Sequence, residues 1–162
     1  LNREININNK EAIMPISEIC NREVIIVKRN STISEAAQLM RQHHVGDVVV
    51  VEDRGGTRVP VGIVTDRDLV VEIMAPAIDQ MVITVGDIMV PGLATVKDNA
   101  GMYETIEYMR AKGVRRVPVV DAGGGLVGIL TLDDLLELLA EELLSLAKLV
   151  RHEQKKETMS RR

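Results

Sequence analysis

The sequence predicts a mixed α/β (α+β) fold: two tandem β-α-β-β-α repeats packed as a pseudo-two-fold pair, with an extended C-terminal helix. Three observations predict it. Met40-Arg41 followed by Val45 recurs 69 positions on as Met109-Arg110 followed by Val114. At the same shift Ile19 matches Ile88, Val27-Lys28 matches Val96-Lys97, Glu35 matches Glu104 and Val50-Val51 matches Val119-Val120. Such self-similarity signals a doubled structural unit. Each copy carries two β-branched runs joined by a glycine turn, the pattern of paired strands. Each then ends its second run on Gly-x-x-Thr-x-x-Asp, at Gly62 to Asp68 and at Gly128 to Asp134, where a Thr is placed to open a helix.

The elements follow in order. An N-terminal extension over 1–14 precedes a first repeat over 15–80, a second over 81–140, and a helix extension with a charged tail over 141–162. A short apolar strand is expected near Val24 to Val27. Thr32-x-x-Glu35 then forms a capping box, in which hydroxyl and carboxylate satisfy orphan N–H groups reciprocally, and opens a helix with Ile33, Ala36, Ala37 and Met40 on one face. Val48 to Val51 and Val59 to Val64 follow as strands, and a second helix begins at Thr65. Past the hairpin the repeat shift falls from 69 to 66, so the first copy carries three extra residues within Asp53 to Arg58. A hairpin loop tolerates such an insertion. The second copy turns at Gly123-Gly124-Gly125. Each unit alone is too small to cover its apolar faces, so the two are expected to pack sheet against sheet.

From Leu132 to Val150 the last helix outruns the repeat, with Leu135, Leu139, Leu143, Leu146 and Val150 at helical spacing. That stripe needs a partner, either its own subunit or a second copy at a dimer seam. From Arg151 onward the charged chain is expected to fray.

Composition excludes several functions. With 162 residues and 46% hydrophobic content, the chain has material for one sizeable core, or two halves sharing one, without metal or disulfide support. Its 20 Lys+Arg against 24 Asp+Glu give a net charge of -4, the wrong sign for gripping nucleic acid through phosphates. Tyr103 and Tyr108 are its only aromatic side chains of the Phe/Trp/Tyr class, which leaves almost no platform for stacking bases. A lone Cys20 excludes an internal disulfide and a zinc site of cysteine pairs, and fits a reducing compartment. No apolar run approaches the roughly 18 to 20 residues that cross a bilayer, and Leu1 to Lys10 lacks the apolar stretch of a secretory signal. The expectation is a cytoplasmic protein that engages neither membrane nor nucleic acid.

The chemistry concentrates at Thr65-x-x-Asp68 and Thr131-x-x-Asp134. A helix N-terminus offers unpaired N–H groups and partial positive charge, which stabilise a phosphate, and a Thr hydroxyl adds a donor. One turn on, an Asp carboxylate can accept from two neighbouring hydroxyls, the pattern a ribose presents. The same spacing is how a helix caps itself, and the two roles can coexist. A capping box prefers Glu or Gln at its third position, as at Glu35, so Asp at both later sites tilts the reading toward ligand contact.

The doubled Gly-x-x-Thr-x-x-Asp, the Val-Pro-Val-Val-Asp strand at Val117 to Asp121 and the Asp87-Ile88-Met89 lead-in together resemble a CBS-domain pair, over about Pro15 to Leu139. The resemblance implies a disc-like pair, often dimerised, that senses an adenosine ligand such as AMP, ATP, NAD or S-adenosylmethionine. It implies that Thr65 and Thr131 contact phosphate and that Asp68 and Asp134 contact ribose. Apolar segments around the base would be Val24 to Val27, with Val24 and Ile26 foremost, and Leu93 to Val96. Basic residues before the Val-Pro-Val-Val strand reach phosphate in the neighbouring repeat's site, a position held here by Arg115-Arg116. The first copy departs from that pattern with Gly46-Asp47. The cleft of Thr65 and Asp68 with Arg115 and Arg116 is therefore the expected phosphate site, and Asp47 is expected to repel phosphate from the other; the alternative for Arg115-Arg116 is a solvated turn, and for Arg67 a dimer contact or solvent.

The leading reading is a non-catalytic regulatory module with no required cofactor, whose output goes to a protein partner or an attached domain and which forms a homodimer. Its competitor is a dimerisation module that has lost ligand binding. An enzyme would need a nucleophile or acid-base pair in a pocket. Asp133-Asp134 are adjacent on a helix and point apart, and Cys20 takes the repeat position of Met89, that of a packed apolar side chain. His43-His44 closes a helix with no Asp, Glu or Cys at ligand spacing to make a metal site.

Overall fold

In the computed structural model, which describes residues 14–90 and 92–160, each repeat builds one three-stranded sheet. β1 (Ile26–Val27) runs parallel to β2 (Asp47–Arg54), which pairs antiparallel with β3 (Thr57–Thr65). β4 (Val96–Lys97), β5 (Arg116–Val120) and β6 (Leu126–Thr131) repeat that order. The central strands are irregular at the same step, between Val50 and Val51 and between Val119 and Val120, so the repeat extends to its bulges. Of the strand expected over Val24 to Val27, only Ile26 and Val27 join the ladder. The extension expected over 1–14 lies outside the described residues apart from Met14.

The helices are α1 (Ile33–His43), α2 (Asp66–Asp68) running on as a π-turn over Leu69–Met74, α3 (Val85–Ile88), α4 (Met102–Lys112) and α5 (Leu132–Ser160). The Thr32 hydroxyl accepts from the Glu35 N–H at 3.0 Å, but the Glu35 carboxylate does not return the bond, so half of the expected box forms. Ile33, Ala36 and Met40 face the core as expected. Ala37 is exposed and Leu39 packs inward in its place, because the buried stripe follows positions three and four apart. α1 ends at His44 in the left-handed region with φ 54°; the matching position in the second repeat is Gly113, φ 65°, which adopts that conformation at no steric cost.

β2 is buried on both faces, which is why it reads as an unbroken valine run. Val48 and Val50 join Val27, Ala36, Met40 and Val64 in one core. Val117 and Val119 join Val96, Met109, Leu130 and Leu135 in a second. Between the sheets, Val49, Val51 and Ile129 form a third cluster flanked by Val24, Ile26, Ile63 and Leu126, the expected sheet-on-sheet seam.

The repeats also exchange their lead-ins. Ile16 is buried in the second core, and its N–H donates to the Ala100 carbonyl at 2.9 Å. Val85 is buried in the first core, and its N–H donates to the Ser31 carbonyl at 2.9 Å. Cys20 packs against the second core and Met89 against the first; this bears out the packed role read for Cys20, whose thiol burial pushes above its ordinary range.

α5 divides along its length. Leu135 is buried and Leu139 half-buried, whereas Leu143, Leu146 and Val150 are 67%, 59% and 52% exposed. The stripe thus packs on its own subunit only at its base. The chain remains helical through Ser160 rather than fraying at Arg151, its Glu, Gln and Lys content being good helix former. No helix among the described residues is long and apolar enough to cross a membrane.

Candidate nucleotide site between the repeats

Both Thr-x-x-Asp pairs fold into the same reciprocal box. The Thr65 N–H and hydroxyl each donate to Asp68 Oδ2 at 2.8 Å, and the Asp68 N–H donates back to Thr65 Oγ1 at 3.2 Å. At Thr131 and Asp134 the corresponding distances are 2.8, 2.7 and 3.2 Å. The boxes cap α2 and α5. Each Thr hydroxyl is spent on its Asp, so it reaches a phosphate only by turning away from that partner. Each Asp uses Oδ2 for the box, and no hydrogen bond among the described residues occupies Oδ1. A third pair, Thr84 and Asp87, makes the same two donations to Oδ2 at 2.7 and 2.8 Å, which hold the Asp87 carboxyl below its ordinary range. Thr84 follows no such glycine-led strand, so the box alone does not mark a ligand site.

The glycine that leads each motif is required by packing. A Cβ on Gly62 would stand 2.5 Å from Met89 Sδ, and one on Gly128 would stand 2.6 Å from Cys20 Sγ and 2.8 Å from the Asn21 carbonyl oxygen. Each motif strand is therefore pressed by the exchanged lead-in.

Arg116 and Asp47 connect the two boxes. In the ladders Asp47 lies opposite Thr65 and Arg116 opposite Thr131. The Arg116 guanidinium crosses to the first repeat and donates to Asp47 Oδ1 in an ion pair whose side chains are 30% and 15% exposed. A Cβ built on Gly46 would meet Asp66 Oδ2 at 3.5 Å and Arg116 Nη1 at 3.8 Å, so the guanidinium sits beside the start of α2. The cross-repeat reach expected of Arg116 is present, but its charge is engaged: Asp47 is its ion-pair partner. Burial pushes the Asp47 carboxyl above its ordinary range, opposed by Arg116 and assisted by Asp66. Arg115 is exposed, and its carbonyl accepts from the Leu132 N–H at 2.8 Å.

Val24 and Ile26 are half-buried in the seam. They line a cavity of about 110 Å³ with Arg22, Arg58, Leu126 and Val127, and Ile26 also borders a groove of about 850 Å³ with Lys28, Arg29, Glu52 and Arg58. Neither includes Thr65, Asp68, Thr131 or Asp134, so the apolar residues and the boxes do not share one cavity. Arg29 and Arg54 both bond Glu52 at this groove, at 2.7 and 2.8 Å, and hold its carboxyl below the usual range. Sequence reasoning passed over Arg58, which closes the Asp53 to Arg58 stretch that holds the three extra residues and faces both spaces, and it did not pair Asp47 with Arg116. The second had a signal: the two occupy the same repeat position with opposite charge, and residues near a pseudo-two-fold axis meet their own equivalents. Among the described residues no three His, Cys, Asp or Glu gather to hold a metal.

Paired βαββα repeats with exchanged lead-ins and a polar seam at the strand ends define a class of tandem-repeat modules. The CBS domain family matches residues 16–75 and 85–141, and the chain belongs to it. An uncharacterized protein from Methanopyrus kandleri, MK0525, is 35% identical over 123 residues, 76% of this chain and 61% of its own length. The inosine-5'-monophosphate dehydrogenase of Methanocaldococcus jannaschii is 30% identical over 134 residues, 83% of this chain and 25% of the enzyme. The chain thus spans only part of these relatives. Among solved structures, the CBS domain pair of protein MJ0100 in complex with 5'-methylthioadenosine and S-adenosyl-L-methionine superposes with a TM-score of 0.68 at 27% identity, over 80% of this chain and 98% of that one. CBSX2 in complex with AMP gives 0.66 at 26% identity, over 78% and 96%.

Proposed function

We propose that the chain is a non-catalytic regulatory module that binds an adenosine nucleotide or dinucleotide, of the AMP, ATP, NAD or S-adenosylmethionine class, in the cleft between its repeats. The observation that carries this reading is the pair of Thr/Asp boxes with open Asp Oδ1 atoms, joined by a guanidinium that reaches from one repeat to the other. The adenosine ligands held by two CBS-pair neighbours support it. In this reading Asp68 Oδ1 accepts a ribose hydroxyl, and Thr65 and Arg115 meet the phosphate. Thr131 and Asp134 form the second, weaker cleft. Arg116 is the coupling element, since a phosphate that draws it from Asp47 removes an ion pair holding the repeats together. Occupancy thereby shifts repeat packing, and a protein partner or attached domain reads that shift.

The second reading, a fold kept for dimerisation without ligand, is favoured by the Arg116–Asp47 pair and the spent Thr hydroxyls. A thermal-unfolding screen with AMP, ADP, ATP, NAD and S-adenosylmethionine separates the two. A ligand at 100 times its Kd stabilises by about 2.7 kcal/mol, a midpoint rise of roughly 5 to 10 °C for a chain of this size. A rise that Asp68→Ala abolishes supports nucleotide sensing; five ligands without effect favour the dimerisation module.

A further inference from the structure

The two hairpins treat one lysine position differently. In the second repeat the Lys97 ammonium folds over the turn and donates to the Asp121 and Ala122 carbonyl oxygens at 3.0 and 3.4 Å. Lys28 holds the matching position in the first repeat, where the hairpin is three residues longer, and among the described residues it makes no hydrogen bond or ion pair. It borders instead the groove of about 850 Å³. That groove lies at the hairpin end of the first sheet, whereas Asp47, opposite Thr65, starts β2 at the other end. Arg58 also borders it, equally unpaired among the described residues, where the second repeat has Gly124 at the 66-residue shift; Arg29 stands where the second repeat has Asp98.

The charges at the groove sort by what already holds them. Glu52 is bonded by Arg29 and Arg54 together, and Arg29 donates from Nε, which leaves both of its Nη groups open. Asp53 Oδ1 accepts from the Gly56 N–H at 2.9 Å within the turn. Glu35 lines the groove as well, and its carboxylate accepts no hydrogen bond from the described residues. Four cations, Lys28, Arg29, Arg54 and Arg58, thus face three carboxylates, Glu35, Glu52 and Asp53, a surplus of one positive charge on a chain whose net charge is -4. The uncommitted groups are two cations and one carboxylate. Cations bond the oxygens of an anionic head, and a carboxylate accepts from hydroxyls.

We propose that this groove is a second ligand site, separate from the Thr/Asp boxes, for a small hydroxylated anion of the sugar phosphate or hydroxy acid class. Lys28 and Arg58 take the anionic head, Arg29 is held in place for it by Glu52, and Glu35 selects for the hydroxyl. The second repeat has no equivalent site, because its lysine is spent on the turn and Asp98 and Gly124 replace the two arginines.

Calorimetric titration of the full chain at low salt tests this with two pairs of probes: glucose 6-phosphate against inorganic phosphate, and malate against succinate, the second of each pair lacking the carbon-bound hydroxyls. The first pair carries a phosphate head and the second a carboxylate head, so the pair that binds identifies the head. One equivalent of glucose 6-phosphate or malate is expected, bound more tightly than its counterpart. Lys28→Ala and Arg58→Ala should each weaken it by about tenfold, and Glu35→Ala should abolish the preference for the hydroxylated probe. Lys28, Arg58 and Glu35 are exposed, and an unchanged unfolding midpoint without ligand verifies that each variant folds. No binding of either hydroxylated anion, or binding that both cation variants leave unchanged, overturns the proposal. So does loss of binding in Asp68→Ala, which would assign the anion to the Thr/Asp boxes. No probe contains adenosine, and the thermal screen scores nucleotide binding separately, so either reading can fail without the other.

Discussion

The two repeats follow one backbone path yet differ in their hairpins, in the segments behind their Thr/Asp boxes and in the charge at the start of their central strands. The first has the longer hairpin, a capped segment that turns into a π-helix after three residues, and Asp47 at the start of its central strand. The second has a shorter hairpin, a 29-residue helix behind its box, and Arg116 at the matching position. Gene-like duplication of a sequence pattern would predict two equivalent clefts. The opposite charges at one repeat position instead make a single ion pair across the pseudo-axis, so the two boxes flank one shared guanidinium.

The largest expected difference between the halves lies at the motif glycines. Gly128→Ala drives its Cβ against a backbone carbonyl as well as Cys20, whereas Gly62→Ala meets only the Met89 side chain, which can move. Overpacking of this kind costs about 1 to 3 kcal/mol. Gly128→Ala should fall near about 3 and Gly62→Ala near about 1 kcal/mol, measured by urea unfolding; equal losses would contradict the asymmetric lead-in packing.

The ion pair should yield the next effect. Arg116→Ala leaves the Asp47 carboxylate buried without its partner and should cost about 2 kcal/mol. Asp47→Asn keeps the shape, frees the guanidinium, and should cost less while tightening a phosphate-bearing ligand. Weaker binding by Asp47→Asn would place Arg116 outside the phosphate contact.

The smallest effect is one of pH. Burial raises the Asp47 carboxyl in the folded state, so folding favours its protonated form. That contribution to stability is present in acid and is lost as pH rises through the raised folded value. Asp47→Asn should therefore lose stability less steeply than wild type as pH rises through the upper carboxylate range. In wild type, protonation of Asp47 also releases Arg116, so ligand affinity should rise toward acid relative to Asp47→Asn, a comparison that cancels the ligand's own titration.

Much of this was legible in the sequence because it is written in local pattern. Valine runs, glycine turns and Thr-x-x-Asp boxes report strands, hairpins and caps whose partners lie within a few residues. Cys20 was read as a packed side chain from its match to Met89. What escaped depends on the packing of distant segments. Ala37 and Leu39 are both compatible with a helix face until the sheet beneath selects one. The lead-in exchange, with Ile16 in the second core and Val85 in the first, leaves no periodicity because each contact spans most of a repeat. The fate of the α5 stripe was open for the same reason, since spacing shows that an apolar face exists and not what covers it.

The most direct test of one guanidinium serving one favoured cleft is a calorimetric titration of wild type, Asp68→Ala and Asp134→Ala with each of the five adenosine ligands. The account predicts one equivalent bound per chain, lost in Asp68→Ala and kept in Asp134→Ala. Two equivalents, or loss in Asp134→Ala with retention in Asp68→Ala, would contradict it.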